Sequence, residues 1–379
     1  MVETEMIEYR LNGPASQERI RIRLMAALRE NRFPQSILID GPVGIGKKAL
    51  AMEIAQALQC TNPSVRPCGN CFGCKMATDS GVTDNWVVPM EAKEASARNA
   101  ADVSAGSSAK TIQDFKQAYI EEIAKNPYRV DIFSAGAVIS VELIRTMTAS
   151  FAMKGDRVRV VIIAEADRMN DSAANAFLKT LEEVPPNTYF ILTTSSREKM
   201  LQTIRSRCLA LHLLPLSDDE VRSETLRLLG EDADADDVTD DIVGLSVGSP
   251  GKALYYVENG KKWCELAAAF VKKSLLADYY DLFQDLAEAG MEEASDANRF
   301  LEVLSFLLSD LMRSRSGARL RIPATTALVN IDAFPRIDHS ALELALNTVQ
   351  ETMSRVASRR TAAPMLLQSL AIKLFEGYK

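Results

Sequence analysis

The chain has 379 residues, of which 47% are hydrophobic and 25% charged, with a formal net charge of −7. That length implies two or three domains with ample material for buried cores, and the composition is that of a soluble globular protein. The acidic balance argues against a protein that coats nucleic acid with its whole surface, while leaving room for a local basic face. There is no run of about 18 apolar residues, so no membrane span is expected. The opening MVETEMIEYR is polar and lacks the apolar stretch of a secretory signal. The expectation is therefore a cytoplasmic protein, in which cysteines stay reduced or bind metal.

Taken in order, residues 16–30 carry Ile20, Leu24 and Leu28 at steps of four and read as an amphipathic helix. Arg32-Phe33-Pro34-Gln35 turns into the apolar strand Ile37-Leu38-Ile39. A glycine-rich turn follows, GPVGIGKK, and then a helix with Leu50, Ile54 and Leu58 on one face. Gly41, Gly44, Gly46 and Lys47 fit the G-x-x-x-x-G-K pattern. In that pattern backbone N–H groups and the helix N-terminus surround a phosphate, and the lysine reaches the β- and γ-phosphates. ATP or ADP is thus a candidate ligand. The next position should offer a hydroxyl to Mg²⁺; here it is Lys48, which offers no oxygen and repels the metal.

Four of the six cysteines, Cys60, Cys68, Cys71 and Cys74, fall within fifteen residues. Two overlapping C-x-x-C steps bring thiolates to one point, and Cys60 closes the set from the end of the preceding helix. Four thiolates suit a closed structural zinc site with no open position for catalysis; a redox pair or a buried thiol cluster is the alternative. A glycine-rich phosphate loop followed at once by four such cysteines resembles the bacterial DNA polymerase III clamp-loader subunits of the tau/gamma and delta-prime type, which are AAA+ proteins. One spacing departs from the family: the seven residues between Cys60 and Cys68 are one fewer than usual.

Asn85 to Pro89 reads as the second strand. Residues 91–110 are small and polar and read as a surface insertion, placed at about 91–130, within which 111–126 recover a helical pattern through Ile112, Phe115, Tyr119 and Ile123. Ile139 to Arg145 resembles a family segment and opens a helix running to about Met153. Residues 158–163 form the unbroken apolar run of a central parallel strand. At its end an active family member carries Asp-Glu, the Asp for the Mg²⁺ shell and the Glu for the attacking water. Here Ala164 stands at the first position and Glu165 at the second. Asp167 is either a substitute or, as the more economical reading, a helix N-terminal residue. Asn170 or Asp171 caps a helix ended by Pro185-Pro186, and the fourth strand follows, Tyr189 to Leu192, ending in Thr193-Thr194.

By the resemblance, Thr194 falls near the sensor-1 position. Ser206-Arg207-Cys208 matches the family's SRC motif, which implies that Arg207 is an arginine finger reaching the ATP of a neighbouring subunit; a surface salt bridge is the alternative. Leu209 to Leu213 would be the fifth strand. Residues 216–260 are expected to form a small helical lid, with Lys252 where family ATPases place a sensor-2 arginine. EDADADD lacks the glycine and distal Glu of a calcium loop and reads as a solvated acidic turn. From 262 to 379 the pattern is helical throughout, and the resemblance implies a collar domain that joins subunits into a ring.

The expected fold is thus α/β: an AAA+ P-loop parallel sheet over 1–215 with a zinc loop at 60–74, a helical lid and an all-α C-terminal collar. The expected function is that of a delta-prime-like stator that has lost its own ATPase activity. Its implied partners are tau/gamma and delta subunits, with the sliding clamp and primer–template DNA reached through the complex. Two alternatives stay open: a self-sufficient ATPase using Asp167 and Glu165, and a zinc-containing nucleic-acid-binding module.

Overall fold

The computed structural model describes residues 7–77, 83–91, 94, 111–130, 132–134, 136–151, 157–291, 294–357 and 362–376. The elements are β1 (Glu8–Tyr9), α1 (Glu18–Arg29), β2 (Ser36–Asp40), α2 (Lys47–Gln59), β3 (Val65–Arg66), α3 (Phe72–Met76), β4 (Trp86–Val87), α4 (Ile112–Lys125), α5 (Val141–Ser150), β5 (Arg159–Ile163), α6 (Asp171–Glu182), β6 (Thr188–Thr194), α7 (Gln202–Arg205), β7 (Leu209–His212), α8 (Asp218–Leu229), α9 (Asp240–Ser246), α10 (Pro250–Leu276), α11 (Tyr279–Glu288), α12 (Ala294–Arg315), α13 (Pro323–Ala327), α14 (His339–Ala357) and α15 (Ala363–Lys373). They divide into two compact units, Met1–Leu216 with Ser249–Gly251, and Ser217–Gly248 with Lys252–Lys379.

The first unit is built on a five-stranded, wholly parallel sheet of order β4-β5-β6-β2-β7, with β1 and β3 forming a separate short ribbon. Central position explains the apolar runs. Ile37, Leu38 and Ile39 of β2 and Phe190, Ile191 and Leu192 of β6 are completely buried, because helices cover both faces of such a sheet. Register pairs Asp40 at the end of β2 with Thr194 at the end of β6. The carboxyl ends of the strands, where loops of an open parallel sheet meet ligands, therefore carry the glycine-rich turn, Glu165 and Thr194 side by side. Helix starts follow local chemistry: the Thr111 hydroxyl and the Asp114 carboxylate form a reciprocal cap on α4, and Asn170 accepts from the N–H of Ala173 at 2.8 Å to start α6.

The second unit is all-α. Its core is continuous, with Phe270 of α10, Leu301, Leu304, Leu308 and Leu311 of α12, Leu342 and Val349 of α14 and Leu367 of α15 fully out of water. Two buried carboxylates hold the start of the short α13. Asp310 accepts from the N–H groups of Arg321 and Ile322 at 2.6 and 2.7 Å, and Asp241 from those of Ala324 and Thr325 at 2.9 and 2.7 Å.

Two details differ from expectation, and a third lies largely outside the described residues. The boundary expected between lid and collar at 260–262 falls inside α10, which runs unbroken for 27 residues; Glu258, Lys261 and Lys262 are exposed there and Gly260 is buried. The helix expected to reach Met153 ends at Ser150. Most of the insertion at 91–110 lies outside the described residues, whereas α4 is anchored by buried Ile120 and Ile123. Among the described residues, no helix is long and apolar enough to cross a membrane.

Candidate functional site

The glycine-rich turn leaves β2 at Gly41 and enters α2 at Lys47, as its sequence requires. Gly44 and Gly46 hold φ of +77° and +100°, a backbone region that side chains rarely adopt. Both glycines are also crowded. A Cβ on Gly46 would stand 2.6 Å from Pro14 and 2.8 Å from the Tyr128 ring; one on Gly44 would stand 2.5 Å from the Ser249 hydroxyl and 2.8 Å from Val130. Residues 126–130, delivered by the end of α4, and the loop before α1 thus press on the turn from outside.

The cradle itself is filled. Lys47, buried, turns its ammonium back onto its own loop and donates to the carbonyls of Gly41 and Pro42 at 2.8 and 2.6 Å. Burial, and then repulsion from Lys48, lowers it from 10.5 to about 8. Lys48 donates to the carbonyl of Arg129 at 3.2 Å and lies 5.9 Å from the Phe133 ring. The cavity left among Gly44, Gly46, Lys47, Lys48, Glu165 and Thr193 has a volume of about 20 Å³. A single water needs roughly 10–15 Å³ on this measure. With the side chains so placed there is room for about one water, and a phosphate would have to displace the Lys47 ammonium from its two carbonyls.

The end of β5 has no metal ligand at Ala164, which is buried and apolar. Glu165 adopts a left-handed conformation, φ +50°, and its carboxylate is paired with Arg168 at 2.6 Å. Arg168 is further fixed by donating to the carbonyl of Ser134 at 2.6 Å. Asp167 lies in a single 3₁₀ turn, Ala166–Arg168, and accepts from the Thr194 hydroxyl at 2.7 Å. It stands in the first turn of that short helix, in keeping with the more economical reading, while Asn170 is the cap of α6; its carboxylate also ties the ends of β5 and β6 together. Sequence reasoning missed Arg168, although its i,i+3 spacing from Glu165 was a usable signal, and it missed Tyr128 and Pro14, which no spacing rule connects to Gly46.

Arg207 follows α7 and is one-third exposed. Its guanidinium donates to the Thr203 carbonyl at 3.0 Å and to Glu182, the last residue of α6, at 2.8 Å. Lys252 of the second unit pairs with Glu302 at 2.6 Å. His212 has a carboxylate partner rather than metal company: Asp40 at 3.1 Å.

The four cysteines converge. All four sulfurs lie within 4.8 Å of one another, with Cys71–Cys60 at 3.8 Å and Cys68–Cys74 at 3.9 Å. A tetrahedron with metal–sulfur bonds of ~2.3 Å has edges of ~3.8 Å, so this donor set fits a zinc ion. Backbone N–H groups of Cys71 and Cys74 point at the sulfurs of Cys68 and Cys71, at 3.4 and 3.5 Å. Cys60 sits at the C-cap of α2, and Gly73 allows α3 to approach it: a Cβ there would stand 1.9 Å from the Gln59 carbonyl.

A family profile described as DNA polymerase III, delta subunit, matches residues 16–217. The chain is similar to DNA polymerase III subunit delta' of Escherichia coli (strain K12), 28% identical over 303 residues, covering 78% of this chain and 75% of that one. It is 24% identical over 278 residues to the delta' subunit of Haemophilus influenzae, covering 73% and 69%. It is 30% identical over 200 residues to subunit tau of Bacillus subtilis (strain 168), covering 52% of this chain and 28% of that one. The chain therefore belongs to the DNA polymerase III delta-subunit family, as a delta-prime-like clamp-loader subunit.

Proposed function

We propose that this subunit neither binds nor hydrolyses ATP and serves as the fixed arm of the loader, presenting Arg207 to nucleotide held by a neighbouring subunit. The observation that carries the reading is the filled cradle: a turn with about 20 Å³ of free space, its lysine bonded to its own loop. Lys48 and Ala164 stand where two contacts to Mg²⁺ are needed, and Glu165 is held by Arg168. Phosphoryl transfer without a held metal loses most of its charge stabilisation.

Arg207 suits the opposite role. Its guanidinium is planar, permanently charged and able to grip phosphate oxygens in pairs. Its contact with Glu182 is an exposed ion pair, worth about 0–1 kcal/mol, so a neighbour's phosphates compete for it at small cost. The Thr203 carbonyl keeps the side chain extended along α7 in the meantime. We further assign zinc to Cys60, Cys68, Cys71 and Cys74 as a structural ion, residues 217–248 with the start of α10 to an AAA+-type lid, and the remaining helices to a collar that joins tau/gamma and delta subunits in the cytoplasm. The clamp and primer–template DNA are then met through the assembly.

Equilibrium dialysis of the purified chain against radiolabelled ATP and Mg²⁺ tests the reading. No binding and no phosphate release are expected; turnover by the chain alone, abolished in Lys47→Ala, would overturn it.

A further inference from the structure

A second cavity of the first unit lies away from the glycine-rich turn, between the cysteine module and the start of β5. It has a volume of about 1150 Å³ and is lined by Gln59 and Thr61, by Arg66 of β3, by Phe72 and Met76 of α3 and by Arg157 and Arg159, among others. Its charge is one-sided: three arginines line it, and among the described residues no lysine and no carboxylate does. In a chain whose net charge is −7 such a local excess of positive charge runs against the average.

Its aromatic group is equally unusual. Phe72 is 65% exposed, and the Arg157 guanidinium lies 5.5 Å from its ring. A hydrophobic ring held in water at the mouth of a basic cavity contributes nothing to the core of α3, whose packing is made by Gly73 and Cys74. The cysteine cluster fixes α3, and therefore Phe72, relative to Arg66. β5, the strand paired to β4 and β6, fixes Arg159. Arg66, Phe72 and Arg159 are thus set on β3, α3 and β5, and Arg157 stands in the segment leading into β5.

We propose that this cavity is a docking site for single-stranded DNA, in which Arg66, Arg157 and Arg159 meet backbone phosphates and Phe72 stacks on a base. Three observations favour a polynucleotide over a small anion or an acidic peptide. The volume exceeds that of ordinary small-molecule pockets, about 300–1,000 Å³. The positive groups are guanidiniums, which match phosphate oxygens in pairs. An exposed aromatic face beside them is the platform on which any base stacks without regard to sequence. The proposal is independent of whether the chain hydrolyses ATP or donates Arg207.

The test is fluorescence anisotropy of a short labelled oligothymidylate with the full zinc-replete chain. Binding is expected to weaken steeply with salt, each phosphate contact contributing about 0.7 to the log–log slope on single strands. Phe72→Ala should weaken binding about tenfold with little change in that slope, as removal of one stacked base does. Arg157→Ala with Arg159→Ala should flatten the slope by about 1.4. Zinc content and thermal midpoint of each variant establish folding, and Phe72→Trp should retain binding where Phe72→Ala does not. Failure of the unmodified chain to bind, or equal affinity in Phe72→Ala and the double arginine variant, would overturn the proposal. Displacement of the oligonucleotide by a polyglutamate peptide at equal charge concentration would also overturn it, and would assign the cavity to an acidic protein segment instead.

Discussion

The two ends of α2 differ in what they are built to hold. At Lys47 the helix begins in a glycine-rich turn whose shape is that of a phosphate cradle and whose interior is protein. At Cys60 it ends in a four-sulfur cluster with the edge lengths of a metal tetrahedron. The first keeps the backbone path and has Lys48 where the pattern calls for a hydroxyl; the second brings a complete set of four sulfur donors together. Backbone geometry and ligand chemistry thus part company along thirteen residues. A motif match at one end reports ancestry, and a donor count at the other reports present capacity.

The sharpest way to break this comparison is at the cysteines. Structural zinc contributes on the order of 10 kcal/mol to folding of small modules. Cys71→Ser should lose zinc by elemental analysis and lower the calorimetric transition of the first unit by many degrees. A variant that keeps its transition unchanged, or unmodified protein purified without zinc, would remove one side of the contrast.

A smaller effect is expected at Arg207. Arginine fingers contribute roughly 10³–10⁵ in rate to phosphoryl transfer, diluted in a ring where other interfaces keep their own. Arg207→Ala should reduce steady-state ATP hydrolysis by the reconstituted loader several-fold while leaving assembly, zinc content and folding intact. Arg207→Lys should be impaired as well, because an ammonium keeps the charge and loses the fork. Rates equal to those of the unmodified loader would make Arg207 a surface residue of the Glu182 pair and nothing more.

Lys47 sharpens the contrast through pH. Its folded value of about 8 lies below the ordinary 10.5. Below about 8 the proton is bound in both states; between 8 and 10.5 the unfolded chain holds a proton that the folded chain has released. Stability relative to Lys47→Met should therefore rise with pH across that window, by up to ~3 kcal/mol from the 2.5-unit difference at 1.36 kcal/mol per unit. Urea midpoints of the two proteins at pH 7 and pH 10 measure it; parallel curves would show that the ammonium is not desolvated.

The smallest expected effect is none. Lys48→Thr with Ala164→Asp restores both metal-side groups yet should not recover ATP binding, since the Lys47 ammonium remains bonded to the Gly41 and Pro42 carbonyls. Binding by that double variant in dialysis would show that the ligands, rather than the filling, were limiting.

Much of this was legible in the sequence because it is local. Apolar runs gave the strands, the G-x-x-x-x-G-K pattern gave the turn, and C-x-x-C steps gave the cluster. Ala164 and Lys48 announced a missing metal shell. What stayed hidden is long-range. Tyr128 reaches Gly46 from 82 positions away, and Glu182 meets Arg207 across α7. The partner of a charged side chain is decided by packing, which no spacing encodes. The continuity of α10 through 260–262 was hidden for a different reason: Gly260 and its polar neighbours interrupt the apolar pattern of the helix.

That continuous helix has a mechanical meaning. At 1.5 Å per residue, α10 is a rod of ~40 Å without a joint. Its N-terminal turn begins at Pro250, two residues past the left-handed Val247-Gly248 bend. The second unit is therefore strung along one straight axis: side chains as far apart as Tyr256 and Leu275 enter a single core from the same helix.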